Sequence, residues 1–488
     1  MTLRLILKKE SNISFFCDIV FLIQGDVMKR LNELLDTQLN ISISGITDDS
    51  REVEEGYLFV ATKGFHVDHY EYIDDAIQKG CSFLVVDREI SIDFPHIVVE
   101  DIQKTYRDLC QKYYEVDFSK LKLIGITGTD GKTTTSTVVK ELIGNAAYIG
   151  TNGVTIGEDT FPTNNTTPCI SELYEDLSII QNHHLSTVSM EVSSEALLHN
   201  RVSDFQFDII AFTNITGDHL NVHGSFEEYK RCKMKLLDYV KKDGVIIVNG
   251  DDPNLKEIKG DNVHTFGFDS DNEFVITDVD YQKRSTIITI NHKTVIHSPL
   301  IGKYNVYNIV EAFLIGKYYG IDENLLLERI EKIKPIKGRC EFLDFGQNYD
   351  IVLDYAHTIN GISMILDTFQ NYETIITVTG AAGGREHEKR PIIGKNVIEK
   401  SSIAIFTMDD PRYEDVNDII NQMVGDLKDY IRIPDREEAI RYALSIAPEE
   451  SVVLILGKGR DNYMAIEDKK VPYNDYEVIQ HYFKEESR

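Results

Sequence analysis

The feature that most constrains the fold is a glycine-rich turn between an apolar run and a helix-forming segment, in residues 121–143 (LKLIGITGTDGKTTTSTVVKELI). The apolar run predicts a buried strand, and the residues after the turn predict a helix. Glycines let the backbone approach a ligand closely, so that successive N–H groups and the helix N-terminus face an anion. Lys132 adds a positive charge for a terminal phosphate, and a following threonine offers its hydroxyl to Mg²⁺. The turn therefore predicts ATP binding.

The spacing of this turn departs from the common P-loop. The pattern GxxxxGK[ST] requires a glycine five places before Gly131, where this chain has Ile126. A glycine-rich turn with a surface lysine is the alternative interpretation. The glycine spacing, the Lys-Thr-Thr run and the strand–helix context together favour a phosphate site.

Length and charge restrict the architecture and the partners. A chain of 488 residues is too long for one ordinary domain and indicates about three. The formal net charge of −29 argues against nucleic acid or an anionic membrane as the main partner. The six cysteines form no CxxC pair, which indicates reduced thiols and a cytoplasmic location.

Residues 1–27 form two apolar runs that Asp18 interrupts, and no small-residue cleavage site follows them. They are too short to span a bilayer. Met28 opens MKRLNELLD, which has the character of a natural start. We therefore expect residues 1–27 to be an N-terminal extension of unknown role, either an upstream extension of the reading frame or a small added element.

Alternating apolar runs and helical segments predict an α/β fold in three domains. Residues 28–119 read as a small α/β domain with three short strands and a helix from about residue 102 to 114. Residues 120–335 read as a central, P-loop ATPase-like parallel sheet. Residues 336–488 read as a Rossmann-like, doubly wound domain whose first βα turn lacks GxGxxG, so dinucleotide binding is not expected.

Three apolar runs of the central region end in polar residues. The first leads to Lys132, the second to Glu191, and the third to Asp218 and His219. Ligands gather at the carboxyl ends of parallel strands, and these side chains suit Mg²⁺ and ATP. A lone Glu or His is more often structural, but the agreement of three strand ends favours a functional site. Lys233, by its spacing alone, reads as a solvated surface lysine.

The C-terminal region repeats the arrangement of strands that run into charged loops. This concentration of charge suggests a site for an anionic or zwitterionic substrate. The residues concerned are Asp354, His357, Arg385, Arg390, Asp409, Arg412, Lys458 and Arg460.

The sequence resembles the Mur ligase family from residue 28 onwards. The motifs that carry the resemblance are, in order, DDSREVEEGYLFVATKG, GITGTDGKTTT, NNTTP, MEVSS, FTNITGDHLNVHG, YNVYN, KGR, LDYAHT, GREHEKRP, DDPRYED and GKGR. GTDGKTT is common to all Mur ligases and to folylpolyglutamate synthases. MEVSS, DYAHT and a D-x-P-R loop point more narrowly to the tripeptide-synthetase members of the family.

The resemblance implies a cytoplasmic, monomeric enzyme of peptidoglycan precursor synthesis. Its N-terminal domain would bind a UDP-sugar, its central domain ATP, and its C-terminal domain an amino acid. ATP would phosphorylate the D-Glu side-chain carboxylate of UDP-MurNAc-L-Ala-D-Glu. The amine of a diamino acid would then attack the acyl phosphate, giving an amide, ADP and phosphate.

The family motifs also imply roles for individual residues. The catalytic residues would be Lys132, Glu191, His219 and Lys233. The Mg²⁺ ligands would be Thr133, Glu191, His219 and, if carbamylated, Lys233. The ATP-binding residues would be Gly128, Thr129, Asp130, Gly131, Lys132, Thr133, Thr134, Asn305, Arg339, Asp354 and His357. The UDP-muramoyl-peptide contacts would be Ser50, Thr166, Thr167, Ser193 and Arg201. The amino-acid pocket would hold Arg385, Asp409, Asp410, Pro411, Arg412, Gly457 and Asp461.

The amino-acid pocket departs from the family pattern. Arg412 is the residue associated with meso-diaminopimelate, since a guanidinium can grip a distal carboxylate. Asp410 replaces the usual Asn and adds a negative charge, which favours a second amine and weakens a carboxylate contact. Arg460 and Asp461 replace His and Glu, and Glu195 replaces a His after MEVSS. Diaminopimelate is therefore favoured as the substrate, with L-lysine next.

Other functions fit the sequence less well. A next-step Mur ligase or a folylpolyglutamate synthase is disfavoured by MEVSS and DDPR. A non-catalytic paralogue that binds nucleotide or muramoyl peptide has only the altered pocket in its support. A P-loop GTPase would need a base-specifying NKxD-like loop, and none is apparent.

Overall fold

The computed structural model describes residues 28–62, 68–217, 220–385 and 387–486. The predicted extension at residues 1–27 lies outside the described residues. Within these ranges, no helix is both long and apolar enough to cross a membrane.

The chain divides into two compact units. The first unit comprises the described residues up to Gly125, together with Asn145–Asp208 and Asp238–Lys241. The second unit comprises Ile126–Gly144, Ile209–Leu237 and the described residues from Lys242 onwards. The predicted domain boundaries near residues 119 and 335 stay predictions.

The strands are, in chain order, β1 Lys29–Arg30, β2 Ser42–Ile43, β3 Gly45–Thr47, β4 Tyr57–Val60, β5 Phe83–Val86, β6 His96–Val98, β7 Lys122–Thr127, β8 Ala147–Gly150, β9 Gly153–Ile156, β10 Asp159–Phe161, β11 Thr187–Glu191, β12 Phe207–Phe212, β13 Val240–Asn249, β14 Val263–Gly267, β15 Phe274–Tyr281, β16 Thr286–Ile290, β17 Thr294–Ser298, β18 Glu341–Leu343, β19 Asp350–Asp354, β20 Ile375–Thr379, β21 Ile403–Phe406, β22 Tyr430–Arg432, β23 Val452–Leu456, β24 Tyr463–Ile466 and β25 Lys469–Pro472.

The α-helices are α1 Leu31–Leu34, α2 Ile73–Gln78, α3 Ile102–Tyr113, α4 Lys132–Ile143, α5 Ile170–Asn182, α6 Ser194–Leu198, α7 Leu220–His223, α8 Phe226–Met234, α9 Lys303–Tyr319, α10 Glu323–Glu331, α11 Ile359–Thr368, α12 Lys389–Lys400, α13 Val416–Val424, α14 Arg436–Ile446 and α15 Asp475–Glu486. Short 3₁₀ turns occur at Ser50–Glu52, His69–Tyr72, Phe118–Lys120 and Lys235–Tyr239.

The first unit contains a four-stranded parallel sheet in the order β3-β4-β5-β6. Nearly all of β4 and the whole of β5 are buried, which accounts for their continuous apolar runs. The strands and the α3 helix predicted for residues 28–119 are confirmed. The unit also holds β10, β9, β8, β11 and most of β7, in the order β10-β9-β8-β11-β7. In this group β8 and β11 are parallel, and β9 and β10 add antiparallel neighbours.

The second unit begins with the strand order β12-β13-β14-β15-β16-β17. β13, β14 and β15 are parallel, whereas β15, β16 and β17 form an antiparallel meander. The predicted parallel sheet is therefore parallel-rich and not purely parallel. Only a few residues join β15 to β16 and β16 to β17, and so short a connection requires antiparallel neighbours.

The rest of the second unit is a six-stranded sheet in the order β18-β19-β23-β20-β21-β22. The last five strands are parallel, and helices cover both faces: α11, α12 and α13 on one, α14 and α15 on the other. This confirms the predicted Rossmann-like, doubly wound arrangement. Since β19, β23, β20 and β21 are neighbours, the charged loops at their carboxyl ends lie side by side.

Candidate active site

The glycine-rich turn that is predicted to bind phosphate (named here the phosphate-binding turn) follows β7 and ends at Gly131, the residue that caps α4. Gly131 has a φ of +89°, and a Cβ there would lie 2.4 Å from Asn308 Oδ1. Only glycine combines this backbone conformation with so close a neighbour. Thr133 and Thr134 lie in the first turn of α4 and are buried. The turn therefore presents the N-terminus of a 12-residue helix, the arrangement expected of an anion site.

Two lysines donate to the same carbonyl in this turn. Lys132 Nζ lies 2.9 Å from Gly128 O and 2.9 Å from Thr129 O. Lys233 Nζ, from α8, lies 2.7 Å from Gly128 O and 4.8 Å from the ring centroid of Tyr229. Lys233 is only 1% exposed, so the surface position suggested by its spacing is wrong. The residue that the resemblance assigned to the metal site thus lies against the phosphate-binding turn.

Asp130 is held at the centre of the turn. Its carbonyl accepts hydrogen bonds from Thr213 Oγ1 at 2.6 Å and Asn214 Nδ2 at 3.0 Å. Its Oδ1 lies 3.3 Å from Thr358 Oγ1. Its Oδ2 is buried with no hydrogen-bond partner among the described residues. An unpartnered buried carboxylate oxygen beside a phosphate turn is a suitable place for a cation or its bound water.

Arg339 joins the phosphate-binding helix to the start of the C-terminal region. Its Nη2 donates to Thr133 Oγ1 at 3.0 Å, and its guanidinium lies 4.8 Å from the ring centroid of Tyr355. Asp354, just before that tyrosine, accepts two backbone N–H groups at 2.6 and 2.7 Å. Burial raises the pKa of Asp354, while Arg339 opposes the rise. His357 completes this loop, with its Nδ1 at 2.9 Å from the Tyr355 carbonyl.

Two asparagines of α9 lie under the turn. Asn305 Oδ1 accepts from Asn308 Nδ2 at 3.0 Å, and both residues are buried. Farther along α9, Glu311 Oε2 accepts from Thr135 Oγ1 of α4 at 3.2 Å. Glu311 is 1% exposed, and burial raises its pKa to about 8, with the Thr135 bond opposing the rise. α9 thus packs under the phosphate-binding turn with two neutral amides and one carboxyl group, whose raised pKa favours its neutral form.

In the first unit, Glu191 is fully buried at the end of β11. Its Oε1 accepts from Tyr148 OH at 2.5 Å and from the Thr151 N–H at 2.9 Å. These contacts fix the carboxylate at a strand end, as predicted. Among the described residues, no group of three or more His, Cys, Asp or Glu side chains is arranged to hold a metal ion. His219, the imidazole among the predicted ligands, lies outside the described residues.

Four of the five predicted muramoyl-peptide contacts meet around Thr167 in the first unit. Thr167 Oγ1 lies 3.3 Å from Ser193 Oγ, and Arg201 Nη1 donates to the Thr167 carbonyl at 2.8 Å. Thr166 extends the group through a 3.1 Å contact with Thr151 Oγ1. Ser50 is placed elsewhere in this unit, where its carbonyl accepts from Lys79 Nζ at 2.9 Å.

The predicted amino-acid pocket gathers around Lys458, a lysine that the motif assignment left out. Lys458 Nζ lies 2.8 Å from Asp410 Oδ1 and 3.2 Å from Asp461 Oδ2. A Cβ on Gly457 would meet Asp409 Oδ2 at 2.4 Å, so these two residues are in contact. Burial raises the pKa of Asp409, while Lys458 opposes the rise. The charge that Asp410 brings is thus paired within the protein.

Arg385 and Arg412, the predicted arginines of this pocket, differ from Asp410 in that their guanidinium groups have no partner among the described residues. Within the part of the chain that the structure describes, no hydrogen bond or ion pair holds the guanidinium of Arg412 or of Arg385. By contrast, buried Arg390 pairs with Glu414, and Arg460 pairs with Glu341. Pro411 precedes Arg412 in the loop and is buried. Arg412 and Arg385 are therefore the cations of this loop cluster with capacity for a substrate carboxylate.

Several residues of the site escaped motif-based prediction. They are Tyr229, Thr213, Glu311, Glu341 and Thr358, together with Lys458, which was expected only as one of the charged strand-end residues and had no role assigned. The signals that could have found them are weak: Lys458 lies inside the GKGR motif, and Glu311 is a charged residue within an apolar helix. Their partners are distant in sequence, so their roles became visible only in the fold.

Comparisons with known proteins identify the family. Family models match residues 42–116 (Mur ligase family, catalytic domain), 126–316 (Mur ligase middle domain) and 338–459 (Mur ligase, glutamate ligase domain). The chain belongs to the Mur ligase family, and it is an ATP-dependent ligase with the three-domain α/β fold of that family.

Two relatives and two solved structures show which members of the family this chain is similar to. The chain is 33% identical over 468 residues to the UDP-N-acetylmuramoyl-L-alanyl-D-glutamate–2,6-diaminopimelate ligase of Geobacillus thermodenitrificans (strain NG80-2), covering 91% of this chain and 96% of that protein. It is 34% identical over 484 residues to the same-named ligase of Caldanaerobacter subterraneus subsp. tengcongensis, covering 95% and 99%. A solved structure of a ligase with this name aligns with a TM-score of 0.63 at 25% identity, covering 94% of this chain and all of that one. MurF from Acinetobacter baumannii shares the fold, with a TM-score of 0.64 at 18% identity and coverage of 88% and 96%.

Proposed function

We propose that the protein adds a diamino acid to the D-Glu of UDP-MurNAc-L-Ala-D-Glu in peptidoglycan precursor synthesis. The favoured diamino acid is meso-diaminopimelate, and L-lysine is the next candidate. One observation carries the proposal. The phosphate-binding turn and the amino-acid loops belong to one compact unit, in which Arg339 bonds Thr133 and lies against Tyr355. The named diaminopimelate ligases among the relatives support the choice of substrates.

The chemistry requires a carboxylate to become an acyl donor. A carboxylate is a poor acyl donor until phosphorylation supplies a leaving group, so the site must stabilise charge on the transferring phosphoryl group. Lys132, Arg339 and the N–H groups at the start of α4 would bind and orient the phosphates. Asp409 would hold the incoming amine near the acyl phosphate, which replaces a bimolecular encounter by a fixed geometry.

Mg²⁺ is part of the proposal, and the buried Oδ2 of Asp130, unpartnered among the described residues and beside the phosphate-binding turn, supports a cation there. On the family motifs, its ligands would be the hydroxyl of Thr133, the carboxylate of Glu191, the imidazole of His219 and a carbamylated Lys233. Bound Mg²⁺ would neutralise phosphate charge. Carbamylation would turn the Lys233 cation into an anion, and its remaining N–H could keep the bond to Gly128 O.

The remaining assignments are proposed on the same basis. Thr166, Thr167, Ser193 and Arg201, with Ser50, would contact the UDP-muramoyl peptide. Residues 28–119, 120–335 and 336–488 would be the three domains, which the ranges of the family models support. A cytoplasmic, monomeric enzyme is expected, and the five cysteines described are free thiols.

The test is phosphate release from ATP in the presence of Mg²⁺. Release should require both UDP-MurNAc-L-Ala-D-Glu and an amino acid, with diaminopimelate best among diaminopimelate, lysine and ornithine. Lys132→Met should lower kcat by at least about a hundredfold, because it removes a phosphate ligand. Lys395→Met, which alters an exposed ion pair on α12, serves as the control. No release with any amine would refute the ligase proposal, and intact substrate binding would then favour the non-catalytic paralogue.

A further inference from the structure

The loop after β21 contains two non-glycine residues in the left-handed region. Asp410 has a φ of +34°, and Arg412 has a φ of +50°. L-amino acids are strained in this region, and such conformations persist only where neighbouring groups hold them. The loop that carries the unpaired Arg412 guanidinium is therefore held in place by its surroundings.

The loop is held by contacts with Gly383 on one side and with Ala465 of β24 on the other. Gly383 N donates to the Asp410 carbonyl at 3.0 Å, and a Cβ on Gly383 would meet the Pro411 carbonyl at 2.0 Å. Ala465 N donates to Asp410 Oδ1 at 2.8 Å, and Arg412 N donates to Ala465 O at 3.0 Å. The Asp410 side chain is thus used inside the loop, as an acceptor that joins it to β24.

Lys458 completes this arrangement. Its side chain is 1% exposed, and it donates to the same Asp410 oxygen that Ala465 N contacts. It also bonds Asp461 and lies 5.4 Å from the ring centroid of Tyr463. A buried charge without a partner is strongly destabilising, and Lys458 is the buried member of this pair. The pair therefore fixes the loop and balances the charge of Asp410.

We propose that Lys458 is a positioning residue that sets the amino-acid specificity of the ligase. Through Asp410 it holds the strained turn, so that Arg412 offers its guanidinium to the distal carboxylate of the incoming amino acid. This inference rests on the proposed function and deepens it.

Charge explains why the preference should depend on Lys458. With it, the loop cluster contains three carboxylates and three cations, which suits a substrate with a second carboxylate as well as a second amine. Without it, the acidic excess favours a substrate that ends in an ammonium group alone. The groups counted are Asp409, Asp410, Asp461, Lys458, Arg385 and Arg412.

The experiment measures KM for diaminopimelate, L-lysine and ATP in four proteins: wild type, Lys458→Met, Lys458→Met/Asp410→Asn and the surface control Lys395→Met. Lys458→Met should raise KM for diaminopimelate at least tenfold, with KM for ATP within threefold. Its preference for diaminopimelate over lysine should fall at least tenfold. Asp410→Asn in the double variant removes the unpaired carboxylate and should restore the preference at least threefold. Lys395→Met should change none of these values.

The outcomes separate this inference from the ligase proposal. Wild type that ligates neither amino acid refutes the proposed function. Lys458→Met that raises KM for both amino acids equally refutes the inference alone. Wild type that ligates but prefers lysine refutes the inference together with the proposed preference for diaminopimelate, and it leaves the ligase activity standing. If Lys458→Met is too unstable to assay, the double variant decides: diaminopimelate preference supports the inference, and lysine preference overturns it.

Discussion

Glu311 is a carboxyl group that the fold keeps from water on α9, beside the phosphate-binding helix. One oxygen accepts from Thr135, and Oε1 is buried without a hydrogen-bond partner among the described residues. Burial raises its pKa from 4.5 to about 8, so the neutral form is the stable one at neutral pH. Glutamine has nearly the shape and hydrogen-bonding pattern of that neutral form.

Glu311→Gln should therefore change how stability depends on pH. The stabilising contribution of neutral Glu311 is fully present below about pH 4.5 and is lost as the pH rises through about 8. Relative to wild type, the variant should gain up to about 1.4 kcal/mol of unfolding free energy per pH unit across this window. Urea midpoints at pH 5.5, 6.5 and 7.5 measure the difference.

Glu328→Gln is the control for this prediction. Glu328 is exposed and pairs with Lys332, which lowers its pKa. Its replacement should give a difference that is flat above pH 5. A Glu311→Gln difference that is equally flat would show that Glu311 is ionised in the folded protein.

Motifs predict residues only where short spacing carries the chemistry. The place of Lys132 and Thr133 in the first turn of a helix was predictable because a strand, a turn and a helix lie within a few residues of one another. The pairing of Lys458 with Asp410 spans 48 positions, and that of Glu341 with Arg460 spans 119. No local pattern indicates such partners, so Asp410 read from sequence as an unpaired charge.

At the level of elements, the turn between β7 and α4 depends on Gly131. Gly131→Ala would place a Cβ 2.4 Å from Asn308 Oδ1 at a φ of +89°. The turn must then shift, and a shift of about 1 Å in a reacting group lowers a rate by roughly a hundredfold. We expect kcat/KM for ATP to fall by about that factor in the phosphate-release assay.

Gly320→Ala is the matched control. Gly320 ends α9 with a φ of +103°, but no atom lies within 4 Å of the Cβ it would gain. Its replacement should lower stability by about 1–2 kcal/mol and leave kcat/KM for ATP unchanged. Equal kinetic losses in the two variants would show that backbone strain, and not the contact with Asn308, disturbs the turn.

Elements were predictable to the extent that burial leaves a signature in sequence. The fully buried strands β20 and β23 appear as the apolar runs of TIITVTG and SVVLILG. The meander β15-β16-β17 was missed because β15 and β17 alternate buried and exposed residues beside many polar side chains. Strands of that kind resemble loops in composition.

At the scale of the whole second unit, a buried ion pair fastens the C-terminal helix. Arg436 of α14 and Asp475 of α15 are both 0% exposed, and their side chains form hydrogen bonds of 2.8 and 2.7 Å. The Arg436 guanidinium also bonds the Leu456 carbonyl at the end of β23. The pair therefore links two helices to the strand from which the Lys458 loop emerges.

Asp475→Ala should destabilise this unit strongly, because it leaves Arg436 buried without its carboxylate. The expected loss is about 3–5 kcal/mol, and Tm should fall by roughly 5–15 °C. Glu485→Ala removes the exposed pair with Arg441 between the same two helices and should cost less than about 1 kcal/mol. Calorimetry of the three proteins measures both effects, and equal shifts would contradict the burial argument.

The two lysines on the Gly128 carbonyl have a consequence for what the turn accepts. Lys132 donates hydrogen bonds to the carbonyls of Gly128 and Thr129 in its own turn, and Lys233 also donates to the Gly128 carbonyl. An incoming anion that recruits Lys132 must compete with these internal bonds. A single anion forms too few contacts to compensate for the internal hydrogen bonds that it displaces. A polyphosphate chain also contacts the helix N-terminus, and these added contacts replace the bonds that are lost. The turn should therefore bind ATP, which makes several contacts at once, more tightly than the free phosphate that the reaction releases.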